Sequence, residues 1–313
     1  MIKNALRAAL LPCILFFKER PHAIFLGWAL AACFAVLASY PLLTASEPRL
    51  IHTEPSMFAP VLVIEEHGQR CMNFTEIEGN GRQTCFDLEE PDKMVFSYTR
   101  MMTSALFVMP EPKNVLIVGL GGATIPLAFE KILPGAIIDT VEIDPAVVRV
   151  AERYFGYRQG PRQRLFVEDG RAFVERAHRE GRQYDMVMLD AFDVDYIPAH
   201  LLTQEFLQHV RAILSPHGVL VANTFTNSRM YDQESATYAA VFGSFFNLRD
   251  GNRVLIAGRG PLPDDETLTQ NANALADTLA PFGIDVEYEL RHFSRERDWN
   301  EDAAVLTDQA SAR

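Results

Sequence analysis

Three carboxylates crowd one short stretch of this chain, where Asp190, Asp193 and Asp195 follow the apolar run YDMVML at 184–189. Acids packed this closely repel one another unless a cation offsets them, and the crowding tends to raise their pKa values. An amine or ammonium substrate would relieve that strain. Asp195 is read as an ordinary solvated loop acid. A second group is more informative: Gly119, Gly121 and Gly122 close the apolar run VLIV at 115–118, and Glu142 ends the next such run. Glycines after a strand let the backbone approach a ligand, because no Cβ intervenes. A carboxylate closing the next strand about 20 residues on is placed to accept both hydroxyls of a ribose. Asp169-Gly170 closes a third run. These residues together describe a nucleoside site with acids at its mouth.

Such a site needs a sheet to carry it. Strand-like runs recur at Arg164 to Val167, Tyr184 to Leu189 and Val219 to Asn223, with helix-like runs at Pro145 to Tyr154, Arg171 to Glu180 and Thr203 to Leu214. This alternation predicts an α/β fold with a doubly wound, mostly parallel Rossmann-like sheet, whose ligands lie beyond the carboxyl ends of the strands. Before it, Val61 to Leu88 alternates in strand fashion about Gly79-Asn80-Gly81, which predicts a small antiparallel β unit. Cys71 and Cys85 flank that turn and either face each other in a disulfide or remain two buried thiols. Met94 to Met109 reads as an amphipathic helix, Thr203 as a helix N-cap, and Ser294 to Arg313 as a polar, mobile tail.

Ile24 to Leu43 holds 20 residues without a charge, about the length that spans a bilayer. Lys3, Arg7, Lys18 and Arg20 precede it, so the positive-inside rule predicts a cytoplasmic N-terminus. The expectation is therefore a single-pass protein of a bacterial-type inner membrane, with an N-terminal transmembrane helix and a periplasmic C-terminal domain. A disulfide would agree with that compartment. The expected domains are a cytoplasmic N-terminus and anchor at 1–50 (span about 24–43), a β-hairpin domain at 51–92, a nucleoside-binding α/β domain at 93–260, and a C-terminal helix and tail at 261–313. A net charge of −12 argues against nucleic acid. The eight histidines show no pair at metal-ligand spacing, so no metal is expected, and no GxxxxGK[ST] loop suggests an NTPase.

Several motifs occur in a telling order: Gly119-Leu120-Gly121-Gly122, Val141-Glu142-Ile143-Asp144, Asp169-Gly170, Asp190-Ala191-Phe192-Asp193 and Thr203-Gln204-Glu205-Phe206. Over Val61 to Gly258 the chain resembles the spermidine synthase (polyamine aminopropyltransferase) family, which has a fold of the S-adenosylmethionine methyltransferase type. The resemblance implies aminopropyl transfer from decarboxylated S-adenosylmethionine to a small-molecule amine, and leaves a homodimer open. It implies that Glu142 holds the ribose and that Asp169 accepts from the adenine amino group, with Gly119, Gly121, Gly122 and Gly170 completing the nucleoside site. Asp190 would be the base for the attacking amine, Asp193 would hold a distal ammonium, and Tyr98 would assist through its hydroxyl.

The chain also departs from the family. The glycine-loop aspartate is replaced by Gly122, a Y-[HQ]-E motif reads Tyr98-Thr99-Arg100, and a strand glutamine reads Ala59. An arginine at position 100 can pair with a carboxylate, so a methyltransferase using intact S-adenosylmethionine is the alternative. A non-catalytic membrane-anchored nucleoside-binding or assembly module is the third reading.

Overall fold

A computed structural model of the chain describes residues 47–74, 81–192 and 196–311. Its first sheet is an antiparallel meander of β1 (Arg49–Glu54), β2 (Val61–Glu66), β3 (Gln69–Asn73) and β4 (Arg82–Asp87), in that spatial order. His67 and Gly68 join β2 to β3, both with positive φ (51° and 76°). That backbone matches the right-handed twist of a two-residue hairpin. Cys71 on β3 stands opposite Cys85 on β4, and the two form a disulfide. Most of the turn expected between these strands lies outside the described residues.

The second sheet grows from longer apolar runs. Its strands are β5 (Asn114–Val118), β6 (Ile137–Glu142), β7 (Gln163–Val167), β8 (Tyr184–Leu189), β9 (Leu214–Phe225), β10 (Phe245–Asp250) and β11 (Asn252–Gly258). They lie in the order β10-β11-β9-β8-β5-β6-β7. The ladders joining β5 through β9 are parallel, while β11 runs antiparallel to β9 and to β10. Parallel strands are covered on both faces, which is why their sequences read as unbroken apolar runs. Successive side chains of β5 point to opposite faces. Val115 and Ile117 accordingly enter one core with α1 (Ser97–Thr103), α2 (Thr124–Ile132) and α7 (Asp265–Leu279), while Leu116 and Val118 enter a second with α4 (Gly170–Arg179) and α5 (Gln204–Ile213). The other helices are α3 (Pro145–Tyr154), α6 (Tyr231–Phe242), α8 (Val286–Leu290) and the short α9 (Asp308–Ser311).

Strand order reverses at β5, whose neighbours are β6 on one side and β8 on the other. A crevice opens at such a switch point, beyond the carboxyl ends of the strands. Three helix starts after it are capped by acids and a threonine. Asp144 caps α3 by accepting from Ala146 N (2.8 Å), Asp169 caps α4 through Ala172 N (2.9 Å), and Thr203 caps α5 through Phe206 N (3.3 Å). Pro145 at the first position of α3 adds the dihedral that a helix start prefers.

Three expectations need correction, and one region was not anticipated. The segment expected to be one helix from Met94 to Met109 is helical only over Ser97–Thr103, then tightens into a 3-10 turn at Ser104–Phe107. The polar C-terminal segment was expected to be mobile but is tied down. Trp299 stacks on Phe245 (centroids 4.9 Å apart), Asp298 pairs with Arg249, and Asp308 accepts two bonds from Arg171 (2.7 and 2.6 Å). The pair β10–β11 and helix α6 also had no counterpart in the sequence reading. The last correction concerns the membrane: no helix among the described residues is long and apolar enough to cross one. Ile24 to Leu43, on which the anchor was based, lies outside the described residues.

Candidate active site

β5 ends at Val118, and the chain turns away through Gly119 with φ near 105°. A Cβ on Gly119 would stand 2.2 Å from the Asp190 carbonyl oxygen, so only glycine lets β5 and β8 deliver their ends side by side. Gly121 also has positive φ (49°). Ala123, which precedes α2, adopts a left-handed conformation at φ 60°, a region non-glycine residues seldom occupy. Gly170 lies against Val118, where an added Cβ would meet Cγ1 at 2.5 Å.

The crevice they frame is a cavity of about 350 Å³, within the range of small-ligand sites. Phe58, Phe74, Ile143 and Leu201 give it apolar walls, and Glu142, Asp169, Asp190, Tyr98 and His200 give it polar groups. Glu142 accepts from Leu120 N (3.0 Å) and from Asp144 N (2.9 Å), which fixes its carboxylate. Burial pushes its pKa up, against these backbone bonds. Asp169 accepts the α4 cap on Oδ1, and its Oδ2 lies 2.8 Å from Nε2 of His200.

Asp190 is the least compensated acid of the group. It accepts a bond from Asn223 Nδ2 (2.9 Å). Burial lifts its pKa to about 7, with the Asn223 bond opposing. Asn223 is itself held by Asn252 Nδ2 at 3.0 Å. Tyr98 donates to the Gln83 carbonyl (3.3 Å), and burial together with the charge of Asp190 raises its pKa well above normal. Tyr98 therefore stays neutral, offering oxygen lone pairs to a donor in the cavity.

The expected site residues do not all meet. Gly119, Gly121, Gly122, Glu142, Asp169, Gly170, Asp190 and Tyr98 line one cavity. Arg100 does not join them: it donates to the Met94 carbonyl (2.9 Å) and pairs with Glu289 (3.6 Å). Two residues apart on a helix, Tyr98 and Arg100 point roughly 200° apart, so they cannot serve the same pocket. Asp193 and Asp195 lie outside the described residues. Sequence reading missed His200, Asn223, Thr84 and Thr124. For Asn223 a signal existed, since a polar residue closes an apolar strand at the same sheet edge as Asp190.

Known proteins are similar to this chain in sequence and in fold. Residues 95–247 match the family model described as the spermine/spermidine synthase domain. A polyamine aminopropyltransferase of Vibrio vulnificus is 43% identical over 267 residues, covering 84% of this chain and 89% of that protein. Spermidine synthase from Thermotoga maritima superposes with a TM-score of 0.56 at 19% identity, over 79% of this chain and 84% of that one. Human methyltransferase-like protein 13, solved with SAH, superposes with a TM-score of 0.51 at 28% identity, over 68% and 95%. The Vibrio relative, a polyamine aminopropyltransferase alike over most of both chains, also overturns the expected inner-membrane protein with a periplasmic domain. Alike to a polyamine aminopropyltransferase over most of both chains, and matching the synthase domain over 95–247, the chain belongs to the spermidine synthase (polyamine aminopropyltransferase) family.

Proposed function

We propose that the cavity binds decarboxylated S-adenosylmethionine as co-substrate and transfers its aminopropyl group to a small amine. The observation that carries this reading is Asp190, a carboxylate facing the cavity with a pKa near 7 and no cation beside it among the described residues. Glu142, fixed by two backbone N–H groups, accepts from the ribose hydroxyls. Asp169, oriented by its cap bond and by His200, accepts from the base. The apolar walls at Ile143 and Leu201 flank the ring.

An alkylamine arrives protonated, since its pKa is about 10.4 in a lysine-like group. Asp190 takes a proton from it and orients the lone pair. The nitrogen then bonds to the carbon next to sulfur as the carbon–sulfur bond breaks. Its electron pair returns to sulfur, neutralising the sulfonium and leaving methylthioadenosine. Tyr98 accepts from the remaining N–H groups, and Asp193 is proposed to hold a distal ammonium of the acceptor.

A second reading, methyl transfer from intact S-adenosylmethionine, is favoured by Gly122, which leaves the glycine loop without a carboxylate to select a cationic tail. Arg100 no longer supports it. Supplying the protein with decarboxylated S-adenosylmethionine and a diamine separates the two. Aminopropyl transfer yields methylthioadenosine in proportion to lengthened polyamine. Turnover with the intact donor alone, giving S-adenosylhomocysteine, would reverse the assignment.

A further inference from the structure

One wall of the cavity is made where the glycine loop meets β4. There the Thr84 and Thr124 hydroxyls lie 3.1 Å apart, and both residues face the cavity. Gly122 sits against Thr84 and Phe155: an added Cβ would meet Thr84 Cγ2 at 2.5 Å and Phe155 Cδ1 at 3.0 Å. While Thr84 is present, the loop can carry no side chain at this point. Whatever lies against this wall is met by hydroxyls.

The wall adjoins the reacting end of the site. Tyr98, which feels the charge of Asp190, donates to the carbonyl of Gln83, the neighbour of Thr84 on β4. Glu142, by contrast, bonds Leu120 N at the start of the loop. The loop thus runs from the carboxylate assigned to the ribose to the hydroxyl pair in two residues.

We propose that Thr84 and Thr124 form a neutral subsite under Gly122 that receives the tail of the sulfonium nucleoside, the chain beyond sulfur that ends in an ammonium. The proposal rests on the reading of the cavity as a sulfonium-nucleoside site. One hydroxyl hydrogen is used between the two threonines and one remains to donate, while lone pairs remain to accept. The pair can therefore meet an ammonium by accepting or a carboxylate by donating. The first turn of α2, rising from Thr124, adds a positive field that softens the penalty for an anion. A carboxylate here would select a cationic tail strongly, and the hydroxyls do so weakly. The wild-type protein is expected to discriminate between decarboxylated and intact donor by no more than ~10-fold through this wall.

The test is calorimetric titration of the protein with three probes: methylthioadenosine, which lacks the tail, decarboxylated S-adenosylmethionine, and the intact compound. The proteins compared are wild type, Thr84→Val, Thr124→Val, and the double variant Gly122→Asp with Thr84→Ala, which trades the hydroxyl for a carboxylate. Each valine should weaken both tail-bearing probes by about 3- to 10-fold and leave methylthioadenosine unchanged. The double variant should shift the preference toward the decarboxylated probe by about 10-fold or more. Valine variants that bind all three probes like wild type would overturn the subsite, even if the double variant fails to fold. Failure of methylthioadenosine to bind wild type would instead overturn the nucleoside reading beneath it.

Discussion

Two aspartates of one sheet are treated in opposite ways. Asp139, on β6 away from its carboxyl end, is fully buried and accepts two bonds from Arg164 (2.5 and 2.9 Å) and one from the Tyr184 hydroxyl (2.7 Å). Asp190, just past the end of β8, has an amide for a partner and no cation among the described residues. Burying a carboxylate costs free energy unless charge and hydrogen bonds offset it. Asp139 receives that compensation from the protein. Asp190 does not, and the missing cation is what an amine substrate would bring. One acid is spent on holding strands together, and the other is left open to a cation from outside.

The comparison breaks most visibly at Asp190. Asp190→Asn should lower aminopropyl transfer by roughly 10²–10⁴-fold, the range of a positioned base, as followed by methylthioadenosine release. The amide keeps the bond from Asn223 and removes the buried charge. A group with a raised native pKa contributes stability at low pH that is lost as pH rises through the native value near 7. The variant should therefore gain on wild type as pH rises from about 4 to 7, by ~2 kcal/mol after allowing for water in the cavity. Wild-type kcat/KM should fall below pH 7 as Asp190 takes up its proton. Equal melting curves for the two proteins at pH 8 would show that Asp190 carries no such cost.

Asp139→Asn should behave in reverse. It leaves Arg164 facing an amide and should cost ~2–3 kcal/mol, less than a fully buried pair because Arg164 is 46% exposed. The melting temperature should drop roughly 4–10 °C, with unchanged turnover per folded molecule at low temperature. The smallest effect is expected at His200. Its bond orients Asp169, so His200→Ala should raise KM for the nucleoside by about 3- to 10-fold and leave kcat nearly intact. A large loss in kcat instead would place His200 at the reacting end.

These contrasts also explain what could be read from sequence. The unit from Val115 to Glu142 is contiguous, so strand, glycine turn and strand-end carboxylate are visible as one pattern, and Asp169 and Asp190 repeat it. Thr84 is brought to the cavity by the antiparallel meander, and nothing local marks a threonine as lining a pocket; Asn223, which ends an apolar run, reaches Asp190 from a later strand. Arg100 misled because closeness in sequence to Tyr98 is opposition on a helix. The pair β10–β11 and the packed C-terminal segment were missed for a related reason. Their order comes from distant partners such as Arg171 and Phe245 rather than from their own composition.

That segment also bears on the timing of synthesis. Arg171 stands two residues past Asp169 and donates to both the His200 carbonyl (3.2 Å) and Asp308, whose carboxyl it holds down at about 2. On the ribosome, domains generally fold as units, beginning with the earlier parts of the chain. The sheet can close once β11 has emerged, yet Arg171 has no Asp308 to grip until fifty more residues follow. The wall of the cavity around Asp169 and His200 thus gains this brace only after the sheet can close.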